Sequence, residues 1–338
     1  MSTRLPNHFT IRPATLDDVE TVVALLNACS VEQIGKPHVE PHKIRSEWQS
    51  PSFDLETYTR VVLAPDGKLV GYIEVWEMDS HAQRFYSWGR VHPEYKGRGI
   101  GTILIQWAEK WARQAMSKAP GDTRVVLTQD TLSTDAAAQE LLRRQGYRLM
   151  RHGFRMVIEL DRPPPEPVLP HGLTIRPFIR GQEERAVLLA VREVFVDHWG
   201  YIEQPFEKQY REWMHWIEND PDFDPSLWFV AIVDGDDGEE IVGVSLCQPR
   251  TVEDPGMGWV NVFGVRRLWR QRGLPQALLH YTFGEFYRRD QRRVGLGVDA
   301  RRFTGATLLY KRAGMRVDRQ YTTYEKELRP ATSETRLG

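Results

Sequence analysis

An α/β (α+β) fold laid down twice in tandem is what this 338-residue sequence predicts, and three observations carry the prediction. Residues 84–91 can form a strand, Lys96-Gly97-Arg98-Gly99-Ile100-Gly101 is a glycine-rich turn, and residues 103–116 have helical spacing. The stretch from Val265 to Gln276 repeats that layout 174 positions later, counted from Gly99 to Gly273. Thr10-Ile11-Arg12-Pro13 returns as Thr174-Ile175-Arg176-Pro177, and Gly146 has a counterpart in Gly314, at offsets of 164 and 168. Landmarks that drift so little mark an internal duplication with small loop insertions.

Each element has a local reason. Residues 9–13 alternate as a strand, and Thr15 with Asp17-Asp18 is a helix-start signal for a helix ending near residue 30. A shorter helix fits between Pro41 and Pro51. Residues 58–63 and 69–78 read as a hairpin around Pro65-Asp66-Gly67. After the glycine-rich turn and its helix come a buried strand at 124–128 and a helix at 135–145 closed by Gly146. Two strands, 147–151 and 154–160, finish the half.

Prolines then dominate from Pro163 to Pro170, too many for a helix or an inner strand, so residues 161–172 read as a stiff linker between domains at 1–160 and 173–330. The plan restarts with a strand at 173–177, helices at 183–197 and 206–219, and strands at 227–233 and 241–248. The strand 258–265 leads into the second turn, followed by a helix at 277–289, a strand at 294–298 and a helix at 305–313. Gly314 closes that helix, and residues 331–338 are a tail.

Composition narrows the function classes. Formal net charge is −1, so no global field draws the chain to nucleic acid or an anionic membrane. No apolar run approaches a membrane span and the start is polar, which makes a reducing, cytoplasmic setting the expectation. Cys29 and Cys247 fall in different halves, with no disulfide framework and no metal-ligand spacing, so no metal is expected.

A strand, a glycine-rich turn and a helix make a phosphate site. Glycines let the backbone approach a ligand, and the free N–H groups at the helix start face an anion. Val91, Lys96, Gly97, Arg98, Gly99, Ile100, Gly101 and Thr102 form the first candidate, with Val265, Arg270, Gln271, Arg272, Gly273, Leu274 and Gln276 the second. Pro275 removes one donor from the second but suits a first helical turn.

These motifs resemble the GNAT superfamily of acyl-CoA-dependent N-acyltransferases, present twice. The family loop reads Arg or Gln, two residues, Gly, one residue, Gly or Ala. Residues 96–101 depart from it only at Lys96, and residues 270–275 only at Pro275. Val298-Asp299-Ala300, Leu309-Tyr310 and Gly314-Met315 fit the family's second marker, where the first half has Leu141-Leu142 and Gly146-Tyr147. The resemblance implies, per half, a mixed, mostly antiparallel sheet of about seven strands flanked by helices, parting in the middle at a bulge. It implies acetyl-CoA or CoA as co-substrate, and a small-molecule or peptide amine as acceptor. Tyr310 would protonate the leaving thiolate.

The general base is open. Asn261 is either a water-orienting residue or a polar strand residue, and Glu253 and Asp254 are weaker candidates. Glu74 and Glu77 lie on the third strand, where either could turn a carboxylate to the cleft, though a solvated face is the simpler expectation. Trp199 and Tyr201 either line the acceptor pocket or pack between helices. The second half is thus expected to be catalytic and the first a degenerate copy, in a monomer whose halves imitate a dimer. The competing readings are an acyl-CoA sensor without activity and, more weakly, a nucleic-acid binder using the arginines at 266–272 and 288–293.

Overall fold

The computed structural model describes residues 5–332 other than 80, 199, 200, 202, 236, 237 and 301–304. It forms two compact units, one of residues 1–151 and 321–338, the other of residues 152–320. The units are therefore not the two halves cut at the proline-rich segment.

The first unit opens with β1 (Thr10–Arg12), α1 (Val19–Ile34), α2 (Pro41–Trp48) and α3 (Leu55–Tyr58). Strands β2 (Thr59–Leu63), β3 (Leu69–Glu77) and β4 (Arg84–Val91) follow, then α4 (Ile100–Ala115), β5 (Val125–Leu132) and α5 (Ala136–Arg144). Strand β6 (Arg148–Glu159) crosses into the second unit. That unit adds β7 (Leu173–Pro177), α6 (Glu184–Phe195), α7 (Phe206–Asn219), β8 (Trp228–Gly235), β9 (Gly238–Gln248) and β10 (Met257–Val265). It ends with α8 (Leu274–Arg288), β11 (Arg293–Ala300), α9 (Gly305–Arg312) and the start of β12 (Arg316–Arg329).

In the first unit β1, β2, β3 and β4 are antiparallel neighbours, β5 lies parallel to β4, and the far half of β12 is antiparallel to β5. The second unit repeats this with β7 to β11, and β6 takes the place beside β11. Each unit thus completes its sheet with a strand that the order of the chain would give to the other. The separate strands expected at 147–151 and 154–160 are one continuous strand, because its second half pairs with β11 from Glu159↔Arg293 to His152↔Ala300. Packing follows the exchange: Met156 and Leu160 sit in the second core, and Tyr324 and Leu328 in the first. Each such buried apolar side chain contributes roughly 1.5–3 kcal/mol.

The duplicated landmarks have local functions. Arg12 grips Asp18 at 2.6 and 2.8 Å, and Arg176 grips Glu183 at 2.9 and 2.7 Å. Both arginines thereby tie the first strand of a unit to the entry of its first long helix. Gly146 and Gly314, at φ 84° and 97°, let the chain turn off α5 and α9 in the left-handed conformation. Among the described residues no helix is long and apolar enough to cross a membrane.

Candidate active site

The two parallel strands at the centre of each unit part company. β4 and β5 pair only from Arg84↔Val126 to Tyr86↔Thr128, yet run on to Val91 and Leu132. β10 and β11 pair from Met257↔Arg293 to Val260↔Leu296, then separate. Their causes differ. On β10 the register against β9 shifts between Val260 and Val262, so Asn261 is the extra residue of a bulge, and it is exposed. β4 runs against β3 without a break from Phe85↔Glu77 to Val91↔Gly71.

A backbone cradle lies at the end of each diverging strand. Gly97 and Gly99 have φ of 77° and 82°, and Gly99 is the cap of α4. The helix begins at Ile100, three residues before the sequence-predicted start, because that left-handed glycine starts it. In the second unit Gln271 and Gly273 adopt the same pair of conformations, at φ 64° and 85°. Gln271 is not glycine and costs roughly 1–2 kcal/mol in that region. A side-chain carbon placed on Gly97 or Gly273 would meet nothing within 4 Å, so both cradles are open. Gly101 differs: a carbon there would lie 2.9 Å from Leu141, which makes this glycine a packing residue.

The donors are available. The N–H of Lys96 goes to the Pro93 carbonyl and that of Ile103 to the Gly99 carbonyl. Between them, no N–H from 97 to 102 has an acceptor among the described residues. In the second cradle the same holds between Arg270 and Ala277, with Pro275 lacking its N–H. Converging N–H groups at a helix start are the physical requirement for holding a diphosphate.

The basic side chains divide into two kinds. Lys96 and Arg270 were expected on the ligand, but Lys96 pairs with Glu32 at the end of α1. Arg270 bonds the carbonyls of Val194 and Val265 at 3.1 Å each and Asp197 at 2.8 Å. Both side chains tie the loop to the end of the unit's first long helix, and both backbone N–H groups are already taken, by Pro93 and Arg267. Arg98 lies over Tyr95 at 4.7 Å and Arg272 over Trp269 at 5.4 Å, both exposed beside the cradle. Val91 and Val265 end the strands below, while Ile100 and Leu274 bury their side chains and offer only backbone. Thr102 and Gln276 lie in the first turns of α4 and α8.

Tyr310 is 6% exposed, on α9, with its ring edge-on to Phe263 of β10 at 6.0 Å. Its hydroxyl has no hydrogen-bond partner among the described residues, and burial pushes its pKa upward. Leu142 is its counterpart on α5, buried at 3%. Glu253 and Asp254 are held in ion pairs: Glu253 is buried between Arg155 and Arg319, and Asp254 pairs with Arg293. Tyr201 is half-buried, with its N–H on the His198 carbonyl at 3.0 Å, and Trp199 lies outside the described residues.

In the first unit the less favoured of the two expectations for Glu74 is the one observed. Glu74 is not on a solvated face; it is 6% exposed and accepts a hydrogen bond from the Tyr72 hydroxyl at 2.5 Å. With Glu47, Tyr86 and Trp88 it lines a cavity of about 310 Å³. An acid inside the largely apolar run 69–76 was the available signal.

The acetyltransferase (GNAT) family model matches residues 22–147 and again residues 188–315. This chain belongs to the GNAT family. Mycothiol acetyltransferase of Salinispora arenicola is 30% identical over 272 residues, covering 78% of this chain and 80% of that protein. The crystal structure of a GCN5-related N-acetyltransferase from Sphaerobacter thermophilus is similar over 98% of this chain and 99% of that one, with TM-score 0.78 and 36% identity. A tandem GNAT protein from the clavulanic acid biosynthesis pathway shares the fold at TM-score 0.69 and 17% identity, over 96% and 100% of the two chains. This tandem GNAT chain is an N-acetyltransferase whose family uses acetyl-CoA as co-substrate.

Proposed function

We propose that the second unit transfers acetyl from acetyl-CoA to a primary amine by direct attack within a ternary complex. The observation that carries this reading is the conjunction, in one unit, of an open N–H cradle, a bulge-parted strand pair and a buried tyrosine beside the bulged strand. The diphosphate of CoA sits on the N–H groups of residues 271–274 and 276, with Arg272 beside it. The thioester runs into the gap between β10 and β11.

The neutral amine attacks the thioester carbon and forms the new C–N bond. Collapse breaks the C–S bond, and Tyr310 gives its proton to the departing thiolate. The amine nitrogen loses a proton, which returns through water to the phenolate, with Asn261 orienting that water. Burial raises the pKa of the phenol, which keeps it protonated at neutral pH, the form that can donate to the thiolate. An acyl-cysteine route has no support in the chain. Both cysteines are buried, with thiols pushed up to about 11 at Cys29 and about 12 at Cys247, so neither is a ready thiolate.

The test is release of free thiol from acetyl-CoA across a panel of primary amines. Turnover with at least one amine is expected. Tight CoA binding with no turnover on a broad panel would favour the acyl-CoA sensor.

A further inference from the structure

The second unit keeps a glycine that its own packing does not require. Leu296 is the last residue of β11 paired with β10, and Gly297 is the first beyond it, at the mouth of the gap. Gly297 is exposed and its backbone is not left-handed. A side-chain carbon placed on it would meet nothing within 4 Å among the described residues. Gly295 is different: a carbon there would lie 2.7 Å from the Trp259 ring, which rests on the bare backbone. Glycine weakens a strand interior, and one with no packing or turn to serve marks a place where a ligand comes close to the backbone. The first unit fills the matching position. Leu127 and Leu296 are each buried in the core of their own unit. The residues flanking Leu296 are Gly295 and Gly297, and those flanking Leu127 are Val126 and Thr128. The Thr128 hydroxyl donates to the Phe85 carbonyl at 3.1 Å and so ties β5 to β4 where their pairing ends. At Gly297 there is no side chain to make such a tie.

We propose that Gly297 sets the size of the acyl group the second unit accepts, and that this unit takes short uncharged acyl groups larger than acetyl, propionyl and butyryl among them. The inference rests on the reading above that the thioester enters the gap between β10 and β11. Tyr310 stands at that gap from α9, 6% exposed, against Phe263 of the parted stretch and with no partner for its hydroxyl among the described residues. Leu296 and Val298 pack into the core that Tyr310 shares, so Gly297, between them, opens on the other face of the sheet. The thioester sulfur lies on the Tyr310 side, and the acyl chain continues across the bare backbone at Gly297.

The neighbours of Gly297 decide which acyl groups fit. Arg155, its partner across β6, would be the natural counter-ion for a carboxylated acyl chain, but it is 8% exposed and committed to Glu253 and Asp318. Asp299, two residues further along the same face and about 6.6 Å away by strand rise, is exposed and acidic. It repels a terminal carboxylate and ends the uncharged path at the reach of a short chain. The bond changes are those of acetyl transfer. The amine nitrogen bonds the acyl carbon, the C–S bond breaks, and the CoA thiolate takes its proton from Tyr310.

Calorimetric titration of the full chain tests this without any amine, in a Gly99→Val background that weakens the first cradle. Butyryl-CoA is expected to bind about 3–15-fold tighter than acetyl-CoA, since each buried methylene is worth up to about fourfold. Succinyl-CoA, the same length with a carboxylate at its end, is expected to bind more weakly than butyryl-CoA. Adding Gly297→Val should weaken butyryl-CoA roughly tenfold or more, with free CoA within about threefold. The Tm of Gly297→Val should equal or exceed that of wild type, because a β-branched residue enters open space on a strand. A lower Tm would make the glycine structural and overturn the assignment. So would equal affinity for acetyl- and butyryl-CoA, tighter binding of succinyl-CoA, or unchanged butyryl-CoA binding in Gly297→Val. If free CoA does not bind the second unit, the catalytic reading falls together with this one. If it binds and only the acyl preference is missing, this one falls alone.

Discussion

The two units use the same scaffold and keep different parts of it. The first has glycine at both left-handed positions of its cradle and a full row of N–H groups, but Leu142 where the second has Tyr310. The second has a strained Gln271 and a donor-less Pro275, but also the bulge at Asn261 and the buried phenol. The first keeps a cavity with two acids where the second is packed with tryptophan. The comparison teaches that after duplication the backbone features persist, because each depends on several residues at once. The chemistry of a site, by contrast, turns on one or two side chains.

That contrast can be broken in four places, taken from the largest effect down. Glu253→Gln removes the acid that Arg155 and Arg319 share, and breaking a buried pair typically costs about 3–5 kcal/mol. Thermal unfolding should show a large drop in Tm, with thiol release at low temperature retained; loss of turnover in a folded variant would return Glu253 to the mechanism. Gly99→Val and Gly273→Val each put a branched side chain at a left-handed cradle position. Calorimetry is expected to find two CoA per chain in the wild type, and one site weakened roughly 10–100-fold in each variant, about 1.4–2.8 kcal/mol.

Glu47→Gln tests the acid pair through stability. The native carboxyl keeps its proton up to about pH 8, whereas the unfolded one releases it near the ordinary 4.5. The raised native value favours the folded state below pH 4.5. That advantage fades as pH rises and is gone above about 8, where the charged, buried carboxylate remains. The variant should therefore gain about 1–2 kcal/mol over wild type on going from about pH 5 to about pH 8.5, as read by denaturant midpoints. An equal difference at both values would remove the buried acid pair from the account. Smallest is Gln271→Gly, which relieves a left-handed glutamine and should stabilise the second unit by about 0.5–1 kcal/mol net of glycine's chain entropy.

What was legible in the sequence follows the range of the forces involved. The cradles, the helix caps at Gly146 and Gly314 and the Arg12 and Arg176 clamps depend on residues within a few positions of each other, and the sequence reading found most of them. The exchanged strands were hidden, because whether β6 pairs with β11 is decided by residues more than 130 positions away. The latching of Arg270 was hidden for the same reason, since two of its acceptors, Val194 and Asp197, lie on and just beyond α6. Glu74 was misread as solvated because one acid in an alternating strand usually is; only the continuous burial of β3 overrides that.

The central claim is that the second unit's phenol supplies the proton to the thiolate, and Tyr310→Phe tests it most directly. Initial rates of thiol release from acetyl-CoA, at saturating amine and in parallel with wild type, should fall about 10²–10⁴-fold in kcat with KM for acetyl-CoA within a few-fold. Equal turnover in a folded Tyr310→Phe protein would contradict the assignment and move the chemistry away from this residue.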